Sequence, residues 1–217
     1  KGDTGADSTV QGPKGDTGTA GSNGAKGDTG TSGSSGAKGD TGVKGDTGSK
    51  PSGQLFLSGA GMWTSTTAGS ATNTITELAT NKVNVYTRDC DATTQEFAEI
   101  TVAMPSDWNA GTITFAPYWT HPSTTTNFGV VWQLQGRAYA NDDALDQAMG
   151  TAQTSTDTGG TTSDMYIGPT SSAITLAGTP AASQLVQFRV ARVPTDGSDT
   201  LAVDAKLLGL MINYTRT

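Results

Sequence analysis

Beyond residue 50 the chain alternates apolar and polar residues with a period of two, the pattern of half-buried strands. In 184–193, Val186, Phe188 and Val190 share one face and Gln187 and Arg189 the other. In 130–139, Val130, Trp132, Leu134 and Ala138 oppose Gln133, Gln135 and Arg137. Ala98, Ile100, Val102 and Met104 form a third stripe, ended by Pro105. In 206–214, Leu208, Leu210, Ile212 and Tyr214 alternate with Leu207, Gly209, Met211 and Asn213. Both faces there are largely apolar, which predicts a strand covered on both sides, a neighbouring subunit being one candidate cover. Weaker periodicity predicts strands at 54–57, 82–88, 112–119, 164–167 and 173–177. Turns fall at 107–109 and 195–197. Short strands separated by Gly, Asp and Pro turns predict an all-β antiparallel sandwich, jelly-roll-like. One helix is expected at 144–149, capped by Asp142 or Asp143. The Thr/Gly-rich stretch 151–163 reads as an exposed loop.

The first fifty residues have no such alternation. Their order is a glycine at every third position: Gly12, Gly15, Gly18, Gly21, Gly24, Gly27, Gly30, Gly33, Gly36, Gly39, Gly42, Gly45 and Gly48. A collagen-like triple helix requires this period, because only glycine fits where three chains meet at a common axis. One chain cannot form that helix, so the expectation is a homotrimer with a stalk over 1–50, a joint at 51–54 and a β-sandwich knob over 55–217. Gly2 and Gly5 stand in a different phase, and the slip at 6–11 predicts a hinge or a frayed end. At about 3.1 Å per residue, 12–50 makes a rod about 120 Å long. Only Pro13 lies within the run, so polyproline preorganisation is nearly missing. The repeated Lys-Gly-Asp-Thr-Gly unit offers interchain ion pairs instead, from Lys14, Asp16, Lys26, Asp28, Lys38, Asp40, Lys44 and Asp46. Each exposed pair contributes about 0–1 kcal/mol and is screened by salt.

Composition narrows the function. Six Lys and six Asp leave the stalk neutral, and the whole net charge of −7 falls on residues 51–217. An acidic domain argues against nucleic-acid binding. Cys90 is the sole cysteine and His121 the sole histidine, which removes an intrachain disulfide and most zinc or histidine-based arrangements. No apolar run reaches membrane-spanning length, and no membrane insertion is expected. The sequence starts inside a repeat, so the expectation is a piece of a longer protein with an anchoring segment before Lys1.

Two segments carry a resemblance: Trp132-Gln-Leu-Gln-Gly136 followed by Asn141-Asp-Asp-Ala-Leu-Asp146, and the ending from Pro194-Thr-Asp-Gly to Leu210-Met-Ile-Asn-Tyr-Thr215. With the proline-poor collagen-like repeat before them, they resemble virion structural proteins and fibres of tailed bacteriophages. The resemblance implies a trimeric tail or head fibre on the virion. It would be held by other virion proteins and would meet a host-surface glycan or protein. It carries no catalytic motif and no cofactor. A decorative head fibre and a bacterial or spore surface filament are the alternatives.

Candidate sites follow from residue type. Trp108, Tyr118, Trp119 and His121 sit beside turns with Asp and Asn nearby, so they are candidates for stacking on sugar rings; packing under a loop or at the trimer interface is the other reading. Trp132 belongs to the core. Asp142, Asp143 and Asp146 are candidate calcium ligands, although helix capping explains two of them. A polysaccharide depolymerase would need paired carboxylates. The only glutamates are Glu77, Glu96 and Glu99, and Glu99 reads as a solvated strand residue. The expectation is a non-enzymatic protein without metal or cofactor.

A knob that gathers three chains sets the stalk's register and raises the effective concentration of its ends. Deleting residues 54–217 is expected to lower the temperature at which triple-helical circular dichroism melts. Unchanged melting of the stalk alone would contradict this.

Overall fold

The computed structural model describes residues 13–30, 51–122, 127–161 and 164–217. The chain divides into two units, Lys1–Asp46 and Thr47–Thr217. In the first, residues 13–30 are exposed throughout and carry no helix or strand. A Cβ added at Gly15, Gly18, Gly21, Gly24, Gly27 or Gly30 would meet nothing within 4 Å. Gly12, the glycines from Gly33 to Gly48, the phase slip and the pairs of Lys38, Asp40, Lys44 and Asp46 lie outside the described residues. The pairs expected of Lys14, Asp16, Lys26 and Asp28 run between chains, beyond what one chain displays.

The second unit is an all-β antiparallel sandwich. Its strands are β1 (Ser52–Ser58), β2 (Trp63–Thr64), β3 (Thr74–Leu78), β4 (Val83–Cys90), β5 (Phe97–Ala103) and β6 (Trp108–Thr120). The remainder are β7 (Phe128–Tyr139), β8 (Gln153–Gly159), β9 (Tyr166–Ile167), β10 (Leu185–Arg192) and β11 (Ala205–Arg216). One sheet runs β3-β4-β11-β6-β9, with β1 also paired to β11; the other runs β2-β5-β10-β7-β8.

The strongest alternations become the central strands. Val186, Phe188 and Val190 of β10 and Val130, Trp132, Leu134 and Ala138 of β7 point into the core. From the facing sheet come Ile113, Phe115 and Trp119 of β6 and Leu207, Leu210 and Ile212 of β11. Fully burying each large side chain is worth about 1.5–3 kcal/mol. Strand β11 does not keep one parity. Ala205 and Leu207 are buried, then Leu210, Ile212 and Tyr214, and the switch coincides with a register shift against β6 between Leu207 and Gly209. The extra residue of this β-bulge re-aims the rest of the strand. A Cβ at Gly209 would stand 2.6 Å from the Leu57 carbonyl oxygen, so β1 packs here only against glycine.

A buried ion pair closes the β10–β11 connection. Arg192 at the end of β10 donates to Asp199 through Nη2 at 2.7 Å and Nε at 3.0 Å, and both side chains are almost wholly buried. Arg192 also donates to the Val203 and Leu201 carbonyls, and Asp199 accepts from the Val131 amide. Cys90 lies in the core, where burial pushes its thiol up to about 12.

Several expectations need correction. The helix at 144–149 does not form. Asp142 adopts φ +67°, and Asp143 accepts from the Ala140 amide behind it at 2.8 Å instead of capping a helix ahead. Most of the supposed loop 151–163 is strand β8, an edge strand whose Thr-rich sequence gives a weak apolar stripe. Strands β2 and β3 went unpredicted for the same reason of weak alternation. At 173–177 the chain makes only isolated bridges, Ile174 with Ile113 and Ala177 with Arg137. The joint at 51–54 contains the start of β1.

Replacing Asp199 with Ala would leave Arg192 charged, buried and unpaired. The expected loss is about 3–5 kcal/mol of unfolding free energy, read as a fall in the urea midpoint. A change below about 1 kcal/mol would contradict the pinning role.

Candidate functional site

The outer face of the five-stranded sheet is built from the residues that alternate with the core. Strand register places Trp63 opposite Glu99, Glu99 opposite Arg189 and Arg189 opposite Gln135, one row across four strands. The next row is Thr101, Gln187 and Arg137, and the one beyond is Ala103, Leu185 and Tyr139. On the other side lie Phe97, Ala191, Gln133 and Thr154.

Glu99 is the hub of these rows. Its Oε1 accepts from Ser65 Oγ at 2.8 Å and from Arg189 Nε at 2.9 Å, and its Oε2 accepts from Gln187 Nε2 at 2.7 Å. Burial pushes the Glu99 carboxyl upward. The Ser65 and Arg189 hydrogen bonds, the Arg189 charge and the Gln187 bond outweigh that and hold it below its ordinary range. Arg189 lies over the Phe97 ring, 5.2 Å from its centroid, and Arg137 stands 5.6 Å from the Tyr139 centroid.

Two hollows flank this row. One, about 520 Å³, is lined by Trp63, the 64–68 turn, Phe97, Glu99 and Arg189. The other, about 390 Å³, is lined by Gln135, Tyr139, residues 145–149, Gln187 and Arg189. Arg189 lines both. Residues 145–149 wall the second. Tyr139 Oη donates to the Leu145 carbonyl at 2.9 Å, and Arg137 Nη1 donates to the Ala148 carbonyl at 2.9 Å. Trp63, at 47% exposure, lines the first.

This set combines an apolar platform with hydrogen-bonding groups. An exposed indole offers a flat apolar platform for ring C–H groups, while amide and guanidinium groups reach hydroxyls. The carboxylate is already saturated by three donors, which suits a group that fixes its neighbours.

The sequence-predicted glycan residues lie elsewhere. Trp108, Trp119 and His121 are buried, so none of them presents a ring face to a sugar. Trp119 stacks within an aromatic cluster of His121, Phe128 and Tyr166, and its Nε1 donates to Asp157 at 2.9 Å, linking the two sheets. Burial lowers the His121 pKa, against the opposing pull of Asp164 and of a hydrogen bond to the Thr161 backbone. Tyr118 is half-buried on the opposite outer face, edge-on to Phe56 at 5.4 Å. The turn context suggested exposure, but long strands on both sides cover these rings. Glu99, read as merely solvated, is the centre of the polar row. Trp63 stands outside every alternating stretch of the sequence. The available signal was the Gln/Arg polar face shared by the two central strands. Among the described residues no cluster of His, Cys, Asp or Glu is arranged to hold a metal.

No family model matches the chain, and no curated protein matches it. Several solved structures overlap it loosely. The CBM36-1 domain of a multidomain xylanase from the hindgut metagenome of Trinervitermes trinervoides is 11% identical, with a TM-score of 0.38, covering 74% of this chain and 96% of that one. A non-crystalline-cellulose-specific carbohydrate-binding module, CBM28, is 13% identical at a TM-score of 0.38, covering 72% and 86%. TmCBM61, solved with beta-1,4-galactotriose, is 11% identical at a TM-score of 0.31, covering 76% and 89%. The ligand chemistry of this chain is set by its own residues.

Because the native Glu99 pKa lies below its unfolded value, the unfolded chain binds more protons as pH falls below about 4.5. Stability therefore declines as pH drops through that range. Glu99→Gln is expected to make the decline shallower in urea melts between pH 5 and pH 3. An unaltered slope would contradict a depressed Glu99.

Proposed function

We propose that this chain is one strand of a collagen-stalked homotrimeric fibre whose β-sandwich is an adhesive module for surface glycans. The Trp63–Glu99–Arg189–Gln135 row, with a groove on either side of Arg189, carries the glycan reading. An aromatic platform beside saturated, preorganised polar groups binds sugars without large ordering costs. The module is non-catalytic. Glycoside hydrolysis needs a proton-donating carboxyl beside an ionised one, and Glu99, held ionised by Ser65, Arg189 and Gln187, does not supply that proton.

The three-chain stalk rests on the glycine period. Only glycine fits where three chains meet at a common axis, and Gly12 to Gly48 supply one at every third position. The fibre belongs to a virion, as the resemblance of 132–146 and 194–215 to phage structural proteins suggests. Its stalk spaces the module away from the particle and other virion proteins hold it there.

A glycan array with the full chain, followed by calorimetry on the best oligosaccharide, tests the adhesive reading. Trp63→Ala is expected to weaken binding about tenfold or more with an unchanged melting temperature. Trp63→Ala binding as tightly as the parent, or no glycan bound at all, would overturn it.

A further inference from the structure

The opposite outer face of the sandwich has the contrary chemistry. On the six-stranded sheet one cross-strand row is Phe56, Met211 and Ala116, and Phe56 packs edge-on against Tyr118. The β3–β4 hairpin extends this sheet and is apolar on both faces. Ile75 pairs with Tyr86 on one face, and Leu78 pairs with Val83 on the other. These four are 40–59% exposed, and they are four of the ten large exposed hydrophobic residues among the described residues. Between hairpin and sheet lies a groove of about 330 Å³, with Leu78, Val85, Pro122, Met165 and Leu208 among its walls. Large apolar side chains gathered at the surface mark an interaction site.

We propose that this groove receives the Ile75–Tyr86 ridge of a second copy of this chain, repeated around a ring of three. The inference rests on the three-chain reading of the stalk, which supplies the occupant. A glycine at every third position is the pattern three chains require at a common axis, and that reading sets two further copies beside every sandwich. The geometry suits a ring. A head-to-tail interface needs two different complementary patches on each subunit, and the hairpin offers a ridge on one face and a groove wall on the other. Charge suits it too. Domains of net charge −7 repel one another unless the touching surfaces are poor in charge. Lys206 at the groove is neutralised by its ion pair with Asp89, and Glu77 at the hairpin is paired with Lys82. The polar row on the other sheet then faces outward on all three copies.

The test is sedimentation equilibrium of the full chain, cold and then warmed past loss of the triple-helical circular dichroism signal. The parent is compared with Ile75→Asp/Tyr86→Ser and, on the groove side, with Met165→Glu. All three residues are exposed in one chain, so each sandwich still folds, with the far-UV circular dichroism of the parent. The expected result is a parent that stays trimeric after the stalk melts and variants that fall to single chains. Variants that remain trimeric alongside the parent would overturn the interface and leave the trimer standing. A parent that separates as soon as the stalk melts would also overturn it. A parent that sediments as one chain even in the cold would remove the three-chain reading itself.

Discussion

Strand β11 is the seam on which the sandwich depends. It pairs with β6 along one side, and with β4 and then β1 along the other. The bulge at Leu208 lies where β4 hands over to β1. Without that extra residue, the parity that buries Leu207 would expose Leu210 and Ile212, because a one-residue slip turns every later side chain to the other face. Gly209 makes the handover possible by letting β1 run close. The cost of the device is local loss of ladder pairing, and the core packed beneath it compensates.

Closing the core this way leaves two outer faces, and the sequence treats them differently. One carries Trp63, Glu99, Arg189, Gln187 and Gln135, with Glu99 hydrogen-bonded to Arg189 and Gln187. The other carries Phe56, Met211, Leu208 and the apolar hairpin. A protein that only had to remain soluble would make both faces polar. A fibre module that binds sugars on one side and its own copies on the other has a use for the difference.

The sandwich was legible where alternation was strong. Strands β5, β7 and β10 follow from stripes such as Val186, Phe188 and Val190, because burial of one face forces a period of two. Strand β8 was not legible, since Thr and Ser satisfy an edge strand without an apolar stripe. The helix expected at 144–149 failed because local capping signals are weak against tertiary hydrogen bonds. Arg137 and Tyr139 tie the Ala148 and Leu145 carbonyls to the sheet. The two apolar faces of 206–214 come in part from the bulge, which buries Leu207 on one parity and Leu210 and Ile212 on the other against the same core. The site was the least legible part. Trp108 and Trp119 stood beside polar turns in sequence, yet strand pairing over more than a hundred residues decides which ring reaches solvent. Trp63, in a two-residue strand, gave no periodic signal at all.

Hydroxyl-radical footprinting of the intact full chain tests the assignment of the two faces most directly. In a single chain Trp63, Tyr86 and Met165 are all substantially exposed, at 47%, 46% and 61%. The account predicts fast oxidation of Trp63 and strong protection of Tyr86 and Met165, with Trp63 becoming protected only when glycan is added. Oxidation of Tyr86 and Met165 at the rate expected of their single-chain exposure would contradict it.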